Sequence, residues 1–213
     1  MKVEIWSDVM CPFCYIGKRK FERALAQFPE RESIEIEWKS FQLNPGMKTE
    51  PGKSINEYLA EVKGWSVEEA KKMNDRVSQI ASAVGITFNF DQAIVANSFD
   101  AHRLSHMAKK HGLQDQMEER LFAAYFTEGK NTADHDTLVA LGAEVGLDAA
   151  EVASMLKSQD YANDVRFDVH EATQFGIRGV PFFVLARKFG VSGAQEPEAF
   201  LEALTAAVAQ TKV

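Results

Sequence analysis

Polarity alternates from the start of the chain, with Val3 and Ile5 set against Lys2 and Glu4. A period of two predicts a strand over residues 2–7. Beyond residue 14 the period lengthens. Phe21, Ala24, Leu25 and Phe28 recur at helical spacing, and Lys18, Arg19 and Lys20 read as the start of the solvated face. Pro29 closes that helix. Ile34, Ile36 and Trp38 then alternate with Glu35, Glu37 and Lys39, which predicts a second strand. Residues 2–42 therefore read as a β-α-β unit, expected to be parallel and right-handed.

From about residue 54 to 176 the pattern is helical. Ser66 and Glu69 form a capping box ahead of a helix that runs to about Val84. Helical periods follow near 98–111, near 114–128 with Met117, Leu121, Phe122, Tyr125 and Phe126, and near 136–145. Asp148 with Glu151 marks another helix start, and a last helix carries Tyr161, Val165, Val169, Ala172 and Phe175 up to Gly176. Strand character returns after Pro181, where Phe182 to Leu185 make a continuous apolar run of the kind found in a strand covered on both faces. Gly190 and Gly193 flank a second short strand, and a final helix starts at Pro197 with Phe200, Leu201, Leu204 and Val208 inward. The pattern predicts an α/β fold in two units: residues 1–53 with 177–213, and an all-helical insertion over 54–176.

Composition narrows the function. Of 213 residues 46% are hydrophobic, enough for a packed core. Asp and Glu number 31 against 24 Lys and Arg, a formal charge of −7, which gives no bulk attraction for nucleic acid or anionic lipid. No apolar run reaches membrane-spanning length, and Glu4 stands where a secretory signal needs apolar residues. A cytoplasmic protein is expected, with neither nucleic acid nor membrane as partner.

Only two cysteines occur, Cys11 and Cys14. A disulfide between them closes a very short loop and removes little entropy from the unfolded chain, so it is a poor staple. Reversible chemistry is the better use. Cys11-Pro12-Phe13-Cys14 follows a predicted strand and opens a predicted helix. Unpaired N–H groups and the positive end of the helix dipole favour an anion there, so Cys11 is expected to ionise more readily than a free thiol and to act as nucleophile. Cys14, one turn further in, is expected to be more buried and to resolve the mixed disulfide. Half of a zinc site is the rival reading, but no second cysteine pair exists. Asp8, three residues earlier, either takes a proton from Cys14 through water or caps the turn. Among the aromatic residues near the dithiol (Trp6, Phe13, Tyr15, Phe41 and Phe182), Phe13 and Tyr15 are the candidates for exposure on an apolar groove. His102 and His106 share a helix face, but Arg103 stands where H-E-x-x-H needs glutamate, so a structural or solvent-facing pair is expected.

The segment from Ser7 to Gly17 resembles the active-site signature of the DsbA-like thioredoxin superfamily. It is most similar to the FrnE-like branch, a neighbour of the 2-hydroxychromene-2-carboxylate isomerases and kappa-class glutathione transferases. Residues 97–104, 176–184 and Gly193-Ala194-Gln195 carry the resemblance through the rest of the chain. It implies a thioredoxin fold with a large helical insertion, and a cis bond at Val180-Pro181 beside the dithiol. The Val180 backbone would then be offered to an extended disulfide substrate. The isomerases and transferases usually hold serine where Cys11 stands, and a serine cannot form a disulfide. The resemblance therefore implies thiol–disulfide exchange with protein or small-thiol substrates. No metal or bound cofactor is expected, and glutathione is a candidate co-substrate. Phe13 replaces the histidine of strongly oxidising DsbA proteins, which implies a less oxidising pair. A glutathione-dependent isomerase or transferase acting on a small aromatic compound is the rival enzyme, and a chaperone-like module the rival without catalysis. The sequence leaves oligomeric state, substrate and reaction direction open.

Overall fold

The computed structural model describes residues 1–211. Lys212 and Val213, at the end of the segment assigned above to the first unit, lie outside the described residues. Strand β1 (Lys2–Ser7), helix α1 (Pro12–Gln27) and strand β2 (Glu35–Ser40) form the first unit, with β1 and β2 parallel and Ile5 opposite Trp38. After the insertion come β5 (Phe182–Leu185), β6 (Phe189–Ser192) and α9 (Pro197–Thr211). The four-stranded sheet has the order β2-β1-β5-β6, with β5 antiparallel to β1 and β6 antiparallel to β5. The apolar run at Phe182 thus fills an interior strand.

Alternation along each strand decides which face a residue serves. Val3, Ile5, Phe183 and Leu185 join the main core. There Phe21 of α1 and Phe200 of α9 pack on Phe183 with ring centroids 5.4 and 4.6 Å away. Trp6 and Val184 turn to the opposite face, against Ala172 and Ile177. That face is covered by α8 (Ala162–Gln174), the last helix of the insertion.

Between β2 and β5 the chain forms β3 (Glu50–Ser54), α2 (Ile55–Lys63), α3 (Val67–Ala83), β4 (Ile94–Val95), α4 (Phe99–Lys110) and α5 (Gln114–Phe122). A π-helical turn over Ala123–Thr127 follows, then α6 (His135–Glu144), α7 (Ala149–Lys157) and α8. Ser66 and Glu69 make the capping box that starts α3, and Asp148 caps α7. Two features add to the predicted pattern: α2, with its own capping box from Ser54 and Glu57, and the antiparallel β3–β4 ribbon. The main core runs without a break from Val3 through Leu121 and Val152 to Val208, so the insertion shares its interior with the sheet.

The outer edge of β2 is occupied by side chains. Gln114 accepts the Trp38 N–H at 3.1 Å and donates to the Trp38 carbonyl at 3.0 Å, and Asp168 accepts the Ser40 N–H at 2.9 Å.

Candidate active site

Helix α1 begins immediately after Cys11. Cys11 is its N-cap residue, with extended backbone (φ −91, ψ 111), and Pro12 takes the first helical position, where a missing N–H costs no helical bond. No acidic residue occupies the first turn, so the unpaired N–H groups meet no local carboxylate. The turn is set by the Cys11 N–H donating to the Asp8 carbonyl at 2.9 Å. Cys11 keeps 4% exposure, whereas Cys14 is fully buried; both are free thiols. Burial pushes the Cys14 thiol well above the ordinary thiol range, and Cys11 beside it adds to the shift, while Ser7 and the Asp8 backbone oppose it. Cys14 is thus held as a thiol behind the more accessible Cys11.

The Cys11 thiol donates to the Val180 carbonyl at 3.5 Å. The Val180–Pro181 peptide is cis. Pro181 packs against α1 at Gly17, where an added Cβ would stand 2.9 Å from the proline Cγ. The Pro181 carbonyl in turn accepts the Gly193 N–H at 2.8 Å, fixing the loop to the end of β6. Strand order therefore brings residues 11 and 180 together although 169 positions separate them.

Asp8 is completely buried. One carboxylate oxygen accepts the Leu43 N–H at 2.7 Å, and the other lies 3.5 Å from the Met10 N–H and 3.4 Å from His102 Nε2. These contacts tie the active-site turn to the chain after β2 and to α4. Burial works against the His102 cation, but Asp8 and Glu118 outweigh it and raise its pKa. His102 and His106 are both buried, which matches the structural option for the pair and not the solvent-facing one. His106 lies 3.1 Å from the Ser40 hydroxyl and 3.0 Å from Asp168.

Several predicted placements change. Tyr15 is not exposed on a groove. It is 4% exposed, stacks on Phe122 at 5.0 Å and donates to Glu119 at 2.6 Å, because α1 is covered by α5 and the π-helical turn. Trp6 is buried on the α8 side, where its indole donates to the Asp168 carbonyl, and Phe41 and Phe182 pack beside it. Lys18 and Lys20 are buried as well. Lys18 pairs with Glu22 and Asp115, and Lys20 reaches Glu196 at 2.6 Å. Helices on both sides of α1 bury their stems while acidic partners take their ammonium groups. Phe13 does reach the surface, at 41% exposure. Asn97 caps the Phe99 N–H and holds the Met47 carbonyl, while Arg103 binds the carbonyls of Met155, Ser158 and Asp160. Asn97 thus joins the insertion to the chain after β2, whereas Arg103 acts within the insertion.

Beside Cys11 and Phe13 opens a cavity of about 320 Å³, walled on the far side by α2 and α3 and floored by the π-helical turn. Its residues Leu43, Tyr58 and Tyr125 carry no local signal of this role, since they come from three separate segments. Among the described residues no group of three His, Cys, Asp or Glu side chains is placed to hold a metal ion. No helix among them is long and apolar enough to cross a membrane.

A family model described as a DsbA-like thioredoxin domain matches residues 2–205. The chain belongs to the DsbA-like thioredoxin family. A probable DsbA oxidoreductase from Streptomyces coelicolor superposes on this DsbA-like chain with a TM-score of 0.93 and 40% identity, over 99% of this chain and 91% of that one. The YwbO protein of Bacillus subtilis strain 168, described as uncharacterized, is 28% identical over 205 residues, 95% of each chain. More distant likenesses reach the fold alone. One is to a 2-hydroxychromene-2-carboxylate isomerase, at 16% identity and TM-score 0.70 over 100% of this chain and 98% of that one. Another is to the cytosolic disulfide reductase DsbM of Pseudomonas aeruginosa with GSH, at 18% identity and TM-score 0.66 over the same shares. The DsbA-like family is of thiol–disulfide oxidoreductase type, and the dithiol of this member stands at the N-terminus of α1.

Proposed function

We propose that this chain catalyses thiol–disulfide exchange on protein or small-thiol disulfides, with Cys11 as nucleophile and Cys14 as resolving thiol. The observation that carries the reading is the asymmetry of the pair. Cys11 caps the helix and retains access to solvent, while Cys14 lies fully buried one turn behind it. In the reducing direction, the Cys11 sulfur attacks a substrate sulfur, the substrate S–S bond breaks, and one thiolate leaves. Cys14 then loses its proton and attacks Cys11, which releases the second thiol and leaves the protein disulfide. A small thiol such as glutathione is the proposed co-substrate that restores the dithiol. No step draws on a metal or bound cofactor. Val180 and Pro181 are proposed to position the substrate backbone, with Phe13 contributing at the surface. A reducing cytoplasm is the proposed setting, since the close-spaced pair serves exchange better than stapling.

Insulin reduction tests the assignment. Cys11→Ser is expected to abolish turnover, because a hydroxyl cannot replace the attacking thiolate. Cys14→Ala is expected to accumulate mixed disulfides through Cys11. Retained turnover in Cys11→Ser, or trapping that requires Cys14, would overturn the roles.

A further inference from the structure

A second hollow, of about 430 Å³, lies along α8, away from the dithiol cavity. Phe99 at the start of α4, Val169 of α8 and Pro45 after β2 give it apolar walls. Arg166 and His170, four residues apart on α8, bring basic groups to it, and no Asp or Glu is among its lining residues. Asp164 precedes Arg166 by two positions, a spacing that does not share a helix face.

Arg166 is unusual in an acidic chain. Arg19, Arg103, Arg120 and Arg187 each pair with a carboxylate. Arg166 instead donates to the Asn163 amide oxygen at 3.2 Å and lies over the Phe99 ring, 5.6 Å from its centroid. A guanidinium over a ring still presents N–H donors at its edge, the geometry that takes a carboxylate. Arg178, exposed two residues before Val180, has no hydrogen-bond or ion-pair partner among the described residues. Unpaired arginines thus stand on α8 and on the segment that leads from it to Cys11.

The hollow is also continuous with the site along the chain. Leu43 and Asn44 line the cavity at Cys11, while Gln42 and Pro45 on either side of them line this hollow. Its other end reaches Thr173, just before α8 gives way to the Val180 loop. An extended chain held at Cys11 therefore has a short surface path into it.

We propose that this hollow is an exosite for protein substrates, in which Arg166 takes the carboxylate of an acidic residue that lies some positions away from the cysteine under attack. The proposal rests on the dithiol reading above. The bonds made and broken at Cys11 and Cys14 are unchanged; the exosite supplies binding only, so its effect falls on KM.

Peptides with one internal disulfide test it. Each carries a Gly-Ser tail of about ten residues, roughly 33 Å when extended, before or after the disulfide. A single glutamate is moved along the tail, with glutamine at the same position as control, and reduction is followed with dithiothreitol as the restoring thiol. Glutamate is expected to raise kcat/KM about fivefold over glutamine at one or two positions of one tail, through KM. Arg166→Gln is expected to remove that preference and Arg166→Glu to reverse it. Both variants are expected to reduce the glutamine peptides and hydroxyethyl disulfide at the wild-type rate. No preference at any position, or an equal one at every position, would overturn the exosite while leaving the dithiol reading intact. A preference that Arg166→Glu leaves unchanged would do the same, as would an equal loss on every substrate, since Arg166 would then serve the fold. Turnover of these peptides by Cys11→Ser at the wild-type rate would overturn the dithiol reading itself.

Discussion

Gly17 shows how one missing side chain sets the distance between two parts of the site. It lies inside α1, where glycine is about 1 kcal/mol less favourable than alanine. On helix propensity alone Gly17→Ala stabilises the protein. The added methyl, however, would stand 2.9 Å from the Pro181 ring and 3.5 Å from the Ala194 side chain. Neither ring nor backbone yields as a flexible side chain would, so the loop is expected to move away from α1 and carry the Val180 carbonyl off Cys11. Gly17→Ala is therefore expected to lower both the melting temperature and insulin turnover. A raised melting temperature with unchanged turnover would show that the contact does not set the loop.

Strand β2 carries the clearest electrostatic consequence at the level of an element. Burial opposes the charge on Glu37, but Lys109, Lys2 and Lys39 outweigh it and hold its pKa down to about 2, against an ordinary value of 4.5. A carboxylate depressed on folding stabilises the native state above its unfolded pKa, and the gain is lost as pH falls through the folded one. Glu37→Gln is thus expected to lower the melting temperature at neutral pH, with the difference from wild type shrinking between pH 4.5 and 2. A constant difference across that range would rule the ion pairs out as its cause. The elements that the sequence made legible are those with local signals: the alternation in β1 and β2, the Ser66 box, and the apolar run of β5. Helix α2 had a comparable signal in Ser54 and Glu57, but its nine residues carry too short a pattern to stand out. The β3–β4 ribbon pairs only Glu50 with Val95 and Ser54 with Ile94, so it rests on long-range contact more than on composition. Tyr15 and Lys18 were misplaced for a related reason. Helical spacing tells which residues share a face of α1, but not that α5 and α9 cover the polar side too. Cys11 and Cys14 were readable because their chemistry lies within four consecutive residues, whereas the cavity walls come from distant segments.

Across the whole molecule, one core joins sheet and insertion. Tyr15, Phe88, Phe122 and Phe126 stack across their junction, with Phe88 and Phe126 centroids 4.6 Å apart. The site thus sits on a single packed body rather than between loosely linked parts. The side chains along the outer edge of β2 bear on how copies of that body behave in a crowded solution. A bare strand edge is a template on which another chain can polymerise. Gln114 imitates the next strand at Trp38, giving and taking the bonds a foreign backbone would seek, and Asp168 blocks the Ser40 N–H. Growth of the sheet on that side is therefore stoppered by two side chains supplied from the insertion. Gln114→Leu would unplug it, leaving the Trp38 N–H and carbonyl without these partners at a cost of about 1–3 kcal/mol each. Light scattering on mild heating is expected to show the variant clouding at lower temperature and in proportion to its concentration, whereas a variant that merely melts earlier and stays clear would mean that some other barrier keeps the molecules apart.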